Sequence, residues 1–326
     1  MPARLVGSAR VAIVGAATEH GTRLREALAA SRVDGSRVNL FGAEGGETVV
    51  SDYAGEARLV QDPELDEIAG HDVVFLCAEG DASLQVAGAA TRSSPVIDLC
   101  GVRPPERSPR VVHMDVNPQA AQDHQGLLAV PHPVAMLLSL LLHPLEQKTG
   151  VGEAIAVVLR PAADFGQSGI EELREQTARL LSFAEAPVEI FGRQLAFNIL
   201  REGTATGDDS TVSSEVARLL GWPEERCAVS MITAPVFHGH CIQLRCKLVN
   251  GATSQDVEAA LSESKLFDAP GEGPDSPLDV SGEPTIGISR PVPDGIGGFW
   301  LWAVAGEAGV RQAELAVRLA AALADL

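Results

Sequence analysis

The sequence is poor in basic residues, has few cysteines and contains no long apolar run. It holds 25 lysines and arginines against 44 aspartates and glutamates, so its formal net charge is −19. Because nucleic acids and anionic membranes bind basic surfaces, we expect neither as a partner. The five cysteines include no C-x-x-C pair, which favours reduced thiols over a disulfide framework. The most apolar segment, residues 136–142, is too short to span a bilayer and is interrupted by His143 and Pro144.

A chain of 326 residues is long enough for two domains, and its first part alternates between strand-like and helical segments. No apolar core of a signal peptide precedes the first strand-like run, so we expect a soluble, cytoplasmic protein. Apolar runs typical of strands occupy residues 11–14, 36–41, 72–78 and 95–99, and helical spacing occupies residues 22–31 and 81–93. This alternation predicts an α/β domain with a Rossmann-like, doubly wound parallel sheet.

The character of the sequence changes after residue 150, where strands follow one another with few crossovers. Strands are predicted at residues 153–159, 227–236, 241–248, 285–290 and 298–305, and helices at residues 169–184, 214–221 and 254–263. This order favours an α+β domain whose mixed or antiparallel sheet is covered by helices on one face. A last helix is predicted at residues 307–326. We therefore divide the chain into a Rossmann-like domain of residues 1–133 and 306–326 and a second domain of residues 134–305.

A glycine-containing turn follows the first strand and precedes the first helix. Helix amides at this turn would hold the pyrophosphate of a dinucleotide. The residues predicted to bind a cofactor are therefore Gly15, Ala16, Thr18 and Gly21. Thr18 stands where glycine would let the backbone approach the phosphates, so a purely structural turn is the alternative. Glu44 follows the second strand and repels a 2′-phosphate. NAD, or no nucleotide, is therefore easier to reconcile with the sequence than NADP.

Two further stretches carry residues of chemical interest. His238, His240 and Cys241 suggest metal ligands, but a strand places Cys241 on the face opposite the histidines, so no metal site is predicted. A single histidine that transfers protons is the better interpretation. Cys100 and Arg103 follow a strand at the functional edge of the sheet, where Arg103 is suited to a phosphate or carboxylate. A half-buried thiol and a surface arginine are the plain alternatives.

Six short motifs, at residues 14–21, 96–98, 116–118, 169–177, 195–198 and 235–240, are informative in their order and spacing. Through them the sequence resembles the aspartate-semialdehyde dehydrogenase family over nearly its whole length. The resemblance implies a dinucleotide-binding domain completed by the C-terminal helix, a central dimerisation domain and a homodimer. The reaction that it implies is the reversible, NADP-dependent reductive dephosphorylation of an aspartyl phosphate, through a cysteine thioester.

The resemblance also implies roles for single residues, and several positions depart from the family pattern. Pro133 stands where the family has the cysteine of its Asn-Cys-Ser/Thr motif. His240 keeps the position of the acid/base histidine. Arg103 and Arg160 stand at positions that bind the substrate in the family. At the position of Arg160 the family has a glutamine. Thr233 replaces an arginine that grips the substrate.

Covalent catalysis has no first step without its nucleophile, so our first hypothesis is a non-catalytic paralogue, similar to the Usg-type proteins of the family. Such a pseudoenzyme is a scaffold, a regulator or a sensor of a small ligand. It acts as a homodimer or together with an active aspartate-semialdehyde dehydrogenase. The alternative is an oxidoreductase that uses NAD or NADP on an aldehyde or acyl phosphate such as aspartate semialdehyde, with Cys100 as a relocated thiol.

Overall fold

The computed structural model describes residues 9–44, 49–122, 124–201, 208–249, 251–264, 267, 273–280 and 285–324. Residues 45–46 of the predicted ribose loop and residues 325–326 of the predicted last helix lie outside these ranges. The chain divides into two compact units. The first combines Met1–Pro133 with Gly309–Leu326, and the second is Val134–Ala308.

The first unit begins with a run of alternating strands and helices. Its elements are β1 (Val11–Val14), α1 (Glu19–Ala30), β2 (Val38–Phe41), β3 (Val49–Tyr53), β4 (Glu56–Val60), α2 (Leu65–Ile68), β5 (Val73–Leu76), α3 (Asp81–Ala89), β6 (Val96–Asp98), β7 (Arg110–Val111) and β8 (Leu127–Ala129). Six of them form a parallel sheet in the order β2-β1-β5-β6-β8-β7. Every residue of β1 and β5 is buried, as expected for strands covered on both faces. The predicted doubly wound parallel sheet is confirmed.

The sequence patterns did not predict the hairpin of β3 and β4. Its two strands pair antiparallel from Val49 opposite Val60 to Tyr53 opposite Glu56. The turn residues Ala54 and Gly55 have φ values of 55° and 85°, as a two-residue hairpin turn requires. Asn-Gly is the usual signal for this turn, and the sequence offers Ala-Gly instead. Most of the hairpin's side chains are exposed, so the hairpin also lacks a strong apolar alternation.

The second unit is organised around a larger sheet. Its elements are α4 (Pro133–Thr149), β9 (Val151–Arg160), α5 (Gly166–Leu181), β10 (Leu200–Arg201), α6 (Asp208–Leu220), β11 (Cys227–Thr233), β12 (His240–Leu248), α7 (Ser254–Ser262), β13 (Ile286–Ile288), β14 (Val292–Pro293) and β15 (Phe299–Ala305). The main strand order is β10-β11-β9-β12-β15-β13, and β14 pairs with β15. Only β9 and β11 pair parallel among these described strands, so the sheet is mixed, as predicted. The last helix, α8 (Ala308–Ala324), falls almost wholly in the first unit.

One expectation about α4 was wrong. The helix is not interrupted at Pro144 but continues to Thr149. Proline removes one helical hydrogen bond, and burial offsets this loss, because Leu142 and Leu145 on either side of it are both fully buried. No helix in the described ranges is both long and apolar enough to cross a membrane.

The loop after α5 is fixed by a buried glutamine on that helix. Gln176 is fully buried, and its Oε1 accepts hydrogen bonds from the amides of Leu195 and Ala196 at 2.7 and 2.9 Å. Its Nε2 donates to the carbonyl of Pro187 at 2.7 Å. Glu172, one turn earlier, accepts bonds from two further amides of the same loop. These contacts explain physically why the helix motif and the 195–198 motif occur together.

We predict that Gln176→Leu destabilises this loop, because two buried amides lose their acceptor at about 1–3 kcal/mol each. The expected result is a lower melting temperature and faster tryptic cleavage at Arg193 within the loop. The exposed Gln167 of the same helix, whose Nε2 donates to Glu171 at 3.1 Å, provides the control Gln167→Leu. Equal protease resistance of Gln176→Leu and Gln167→Leu would contradict the prediction.

Candidate functional site

The turn between β1 and α1 is packed so tightly that only glycine fits at its two ends. Gly15 has a φ of 79°, and a Cβ there would lie 2.5 Å from the Cβ of Ala78. A Cβ on Gly21 would lie 2.4 Å from the carbonyl oxygen of Gly15. Glycine at both positions lets α1 begin directly against β1, with its N-terminus facing the sheet's carboxyl edge. This is the backbone arrangement that holds a pyrophosphate in dinucleotide-binding folds.

Thr18 and Glu19 have local roles in this turn. The Thr18 hydroxyl accepts a hydrogen bond from the Gly21 amide at 3.2 Å and so caps α1. The same hydroxyl lies 2.7 Å from the carbonyl oxygen of Cys77, which it reaches as a donor. Glu19 forms an ion pair with Arg23 at 2.9 Å, so its negative charge is partly compensated beside the turn. Thr18 is therefore engaged as a helix cap, which sequence spacing alone does not reveal.

A cavity of about 400 Å³ opens beside this turn. Its lining combines the turn, the end of β2 and the hairpin, and comprises Gly15, Ala17, Thr18, Gly42, Ala43, Glu44, Val49 and Val60. Val49 and Val60 pair across the hairpin and give the cavity an apolar wall. Backbone of the turn forms another wall. An apolar wall for a base and a helix N-terminus for phosphates are the features that a dinucleotide requires, so these residues fit the cofactor that the fold implies.

The carboxyl end of β6 carries the second predicted group of this unit. Asp98 is fully buried and accepts hydrogen bonds from the amides of Cys100 and Gly101 at 3.0 and 3.1 Å. Burial raises the pKa of Asp98, while these bonds and the nearby Arg103 act in the opposite direction. The Arg103 guanidinium lies 3.8 Å from the Asp98 carboxylate, and the side chain of Arg103 is 44 % exposed. Arg103 is thus held at the functional edge of the sheet with its charge accessible to an anion.

None of the five cysteines resembles an activated nucleophile. Burial raises the pKa of Cys227 and of Cys241 to about 11 and that of Cys246 to about 12. It also raises the pKa of Cys77 and Cys100 well above the usual range, and the Asp98 carboxylate raises both further. A nucleophilic thiol needs the opposite environment, because the thiolate is the reactive form. The environment of Cys100 therefore disfavours the hypothesis of a relocated catalytic thiol.

The remaining predicted residues meet at one edge of the second unit's sheet. Arg160 ends β9, Thr233 ends β11 directly opposite it, and His240 begins the antiparallel strand β12 on the other side of β9. All three side chains are buried, with His240 only 2 % exposed. The sheet register thus places Arg160 and His240 on neighbouring strands at the same edge.

A carboxylate that the sequence patterns missed joins these two residues. Asp164 Oδ2 accepts a hydrogen bond from Arg160 Nε at 2.8 Å and lies 2.9 Å from His240 Nε2. Burial alone would raise the pKa of Asp164, but His240 and Arg160 outweigh it and hold this pKa well below its usual range. Phe165 packs on the guanidinium of Arg160, 5.4 Å from it. The result is a buried Arg160–Asp164–His240 network.

The network fixes the orientation of the histidine ring. With Nε2 directed at Asp164, Nδ1 is the other ring nitrogen, and it is buried without a hydrogen-bond partner in the described part of the chain. His238 belongs to a different pair, because its Nδ1 lies 3.0 Å from Glu307. In the described ranges, no group of three or more His, Cys, Asp and Glu side chains has an arrangement suited to a metal ion. The arrangement is that of a carboxylate-oriented histidine, which is suited to proton transfer.

The start of α4 is the position at which the resemblance places the family's cysteine. Pro133 is the first residue of this helix, and φ-restricted proline suits that position because it needs no backbone donor there. The helix N-terminus would lower the pKa of a thiol placed on it. Proline has no side chain that can attack a carbonyl group. The helix start is therefore present, while the residue that stands on it is chemically inert.

Family models match both parts of the chain. The model described as the NAD binding domain of semialdehyde dehydrogenase matches residues 10–124, and the model described as its dimerisation domain matches residues 142–305. The second match alone covers half of the sequence. The chain belongs to the semialdehyde dehydrogenase family.

Individual relatives agree with this membership. A USG-1 protein homolog of Azotobacter vinelandii is 28 % identical over 263 residues, which are 78 % of each chain. An aspartate-semialdehyde dehydrogenase of Synechocystis is 25 % identical over 270 residues, 80 % of this chain and 78 % of the relative. The fold matches aspartate semialdehyde dehydrogenase II of Vibrio cholerae with a TM-score of 0.83, at 23 % identity and over 96 % and 97 % of the two chains. A probable aspartate-semialdehyde dehydrogenase of Pseudomonas aeruginosa gives the same TM-score at 25 % identity, over 97 % and 98 %.

Within this semialdehyde dehydrogenase family member, the Arg160–Asp164–His240 network makes a direct prediction. Asp164→Asn removes the carboxylate that pairs with both Arg160 and His240, so we expect a loss of about 3–5 kcal/mol at pH 7. A lowered pKa stabilises the fold above the ordinary pKa of aspartate, and this stabilisation is lost as the pH falls through the lowered value. The gap in melting temperature between wild type and variant should therefore narrow below about pH 4.

Thermal unfolding from pH 3 to pH 8 measures this gap. The exposed carboxylate of α2 provides the control Asp66→Asn, which should follow the wild type at every pH. A small difference in melting temperature between wild type and Asp164→Asn at pH 7, or a difference that widens in acid, would show that Asp164 does not stabilise the site as an ionised carboxylate.

Proposed function

We propose that this protein is a non-catalytic member of the semialdehyde dehydrogenase family that binds a small carboxylate or phosphate as a regulatory or sensing paralogue. The observation that carries the proposal is Pro133 at the first position of α4, where a nucleophilic thiol would be activated. Thioester chemistry has no first step without such a thiol. The thiol environments support the same view, because burial raises the pKa of each of the five cysteines.

The retained features support ligand binding rather than an empty scaffold. Arg103 keeps an accessible guanidinium at the carboxyl edge of the first unit's sheet. His240 keeps its orienting carboxylate, Asp164, and a buried ring nitrogen. Buried networks of this kind are costly to maintain for packing alone, since apolar residues often stabilise a core equally well. Arg160 is paired with Asp164, which partly neutralises the positive charge that Arg160 would offer to an anion.

A second candidate function is an oxidoreductase that uses NAD or NADP on an aldehyde or acyl phosphate. The cavity at the glycine turn favours this candidate. A Cβ on Gly15 or on Gly21 would lie less than 3 Å from neighbouring atoms, so both positions require glycine. With glycine at both, the turn has the backbone arrangement that holds a dinucleotide. This candidate requires a hydride transfer without the family's thioester. We rank it second, since it needs a group that activates the substrate in place of the cysteine.

The proposal predicts the thiol reactivity of the native protein. We expect all five wild-type cysteines to react slowly with iodoacetamide at pH 7, because their raised pKa values keep them protonated. Restoring the family motif with the triple variant His132→Asn, Pro133→Cys and Val134→Thr should add one thiol that reacts at least about tenfold faster, since helix amides lower its pKa. Intact-mass spectrometry over time counts the labelled thiols.

Circular dichroism and melting temperature provide the folding control for the triple variant. A control variant that places a cysteine on the exposed hairpin, Leu59→Cys, should react at the rate of an ordinary exposed thiol. A rapidly labelled cysteine in the wild-type protein would overturn the proposal, because it would identify an activated nucleophile.

We also propose that the protein is a homodimer formed through the open face of the second unit's sheet. Ile155, Arg245 and Trp300 are neighbours on three adjacent strands and share this face. Ile155 and Trp300 are 39 % and 37 % exposed, whereas Ala156 on the opposite face is 2 % exposed. Arg245 is fixed between them by ion pairs to Glu153 and Asp294 at 2.7 and 2.8 Å. The match to a dimerisation domain supports this surface as the interface.

Sedimentation equilibrium should give twice the mass of one chain. Ile155→Lys adds a charge to the centre of the proposed interface and should shift the protein to monomers at micromolar concentration. The matched control is Leu59→Lys, at a 56 % exposed leucine of β4 in the first unit, which should remain dimeric. A monomeric wild type, or an Ile155→Lys variant that is as dimeric as Leu59→Lys, would refute the interface.

A further inference from the structure

The end of β2 delivers one charged side chain to the cavity beside the glycine turn. Gly42 follows Phe41 directly, and a Cβ on Gly42 would lie 2.9 Å from the carbonyl oxygen of Glu44. The chain therefore turns closely at Gly42, whose amide donates to the carbonyl of Gln61 at 2.9 Å. This turn places Glu44 in the lining of the cavity, where its side chain is exposed. The carboxylate of Glu44 is thus accessible to a molecule that enters.

No cation among the described residues that line the cavity balances this carboxylate. Of these eight described residues, Glu44 alone carries a charge. Arg25 of α1, the helix that begins at this turn, is only 8 % exposed. Its guanidinium donates to the carbonyls of Ala16 and Asp52 and to the hydroxyl of Thr22, so its donors are directed into the protein. The cavity therefore offers a free carboxylate and, within its lining, no guanidinium.

A ribose with free 2′- and 3′-hydroxyls complements a carboxylate, because each hydroxyl can donate a hydrogen bond to one carboxylate oxygen. A 2′-phosphate carries about −1.5 to −2 charges at pH 7 and only acceptor oxygens, so the same carboxylate repels it. We propose that Glu44 makes this cavity selective for adenine nucleotides with an unphosphorylated ribose, NAD or NADH, against NADP and NADPH. The selectivity concerns nucleotide binding and does not depend on whether the protein transforms a semialdehyde.

The apolar wall and the glycine turn define one orientation for a bound nucleotide. Val60 is buried and Val49 is partly exposed on the hairpin, so they suit the flat face of an adenine. The turn at Gly15 and the capped start of α1 suit the pyrophosphate. Glu44 lines the same cavity as the apolar wall and the glycine turn. In this orientation it faces the ribose that links the adenine to the pyrophosphate. Nucleotide discrimination is then assigned to a single exposed carboxylate.

Isothermal titration of the full-length protein tests this assignment directly. The probes are NAD and NADP, and also the smaller pair of adenosine 5′-monophosphate and adenosine 2′,5′-bisphosphate, which differ only in the 2′-phosphate. We expect NAD to bind at least about tenfold more tightly than NADP, and the smaller pair to show the same direction. Glu44→Gln keeps the size of the side chain and removes its charge, so it should reduce the NAD/NADP ratio to within about threefold.

A matched control separates the local charge from the overall acidity of the chain. Glu64→Gln removes one exposed negative charge from the same unit outside the cavity lining, and should leave the ratio unchanged. Because like-charge repulsion is screened by salt, the wild-type ratio should also fall between 50 mM and 500 mM sodium chloride. Equal or tighter binding of NADP by the wild type would overturn the proposal. An unchanged ratio in Glu44→Gln, or no binding of any probe at millimolar concentration, would overturn it equally.

Discussion

The second unit's candidate site depends on the partly buried carboxylate of Asp164. It lies within 3 Å of both Arg160 Nε and His240 Nε2, which sit at the ends of two neighbouring strands. Without the carboxylate, a buried guanidinium and a buried imidazole would face each other at this edge. With it, the ring of His240 is held in one orientation and its second nitrogen is directed away from the network. The same contact that links the two strand ends therefore also fixes the orientation of the histidine ring.

Much of the fold was predictable because its signals are local. Strands β1 and β5 are short apolar runs followed by turns, and α5 has an amphipathic period, so each is identified by its own residues. The hairpin of β3 and β4 was missed because an Ala-Gly turn is a weak signal and its side chains are largely exposed. The continuation of α4 past Pro144 was missed because helix propensity ranks proline as a breaker, whereas the burial of Leu145 decides the outcome.

The candidate site was less predictable than the fold. His240 was identified by its motif, but its partner Asp164 is 76 positions away in the chain, and no spacing rule joins them. The only local signal was the separation of four residues between Arg160 and Asp164. Thr18 was interpreted as crowding a phosphate, whereas its hydroxyl accepts from the Gly21 amide as the cap of α1 and donates to the carbonyl of Cys77, 59 positions away. Contacts between distant segments decide these roles, and one sequence does not reveal them.

Membership of the semialdehyde dehydrogenase family explains the architecture and does not by itself imply the reaction. Packing requires the glycines of the first turn and the buried Gln176 that holds its loop. The start of α4 is the position with the largest chemical consequence for the proposed function. Pro133 suits the first turn of the helix and offers no side chain that could attack a carbonyl group.

The most direct measurement is a search for the acyl-enzyme. The purified protein is incubated with aspartate semialdehyde and NAD or NADP in phosphate-free buffer, quenched in acid and weighed by intact-mass spectrometry. We expect the unmodified mass with either nucleotide and no formation of NADH or NADPH. A mass increase of one aspartyl group that requires the nucleotide and is removed by hydroxylamine would contradict the proposed function, because it would show that the protein forms the family's thioester.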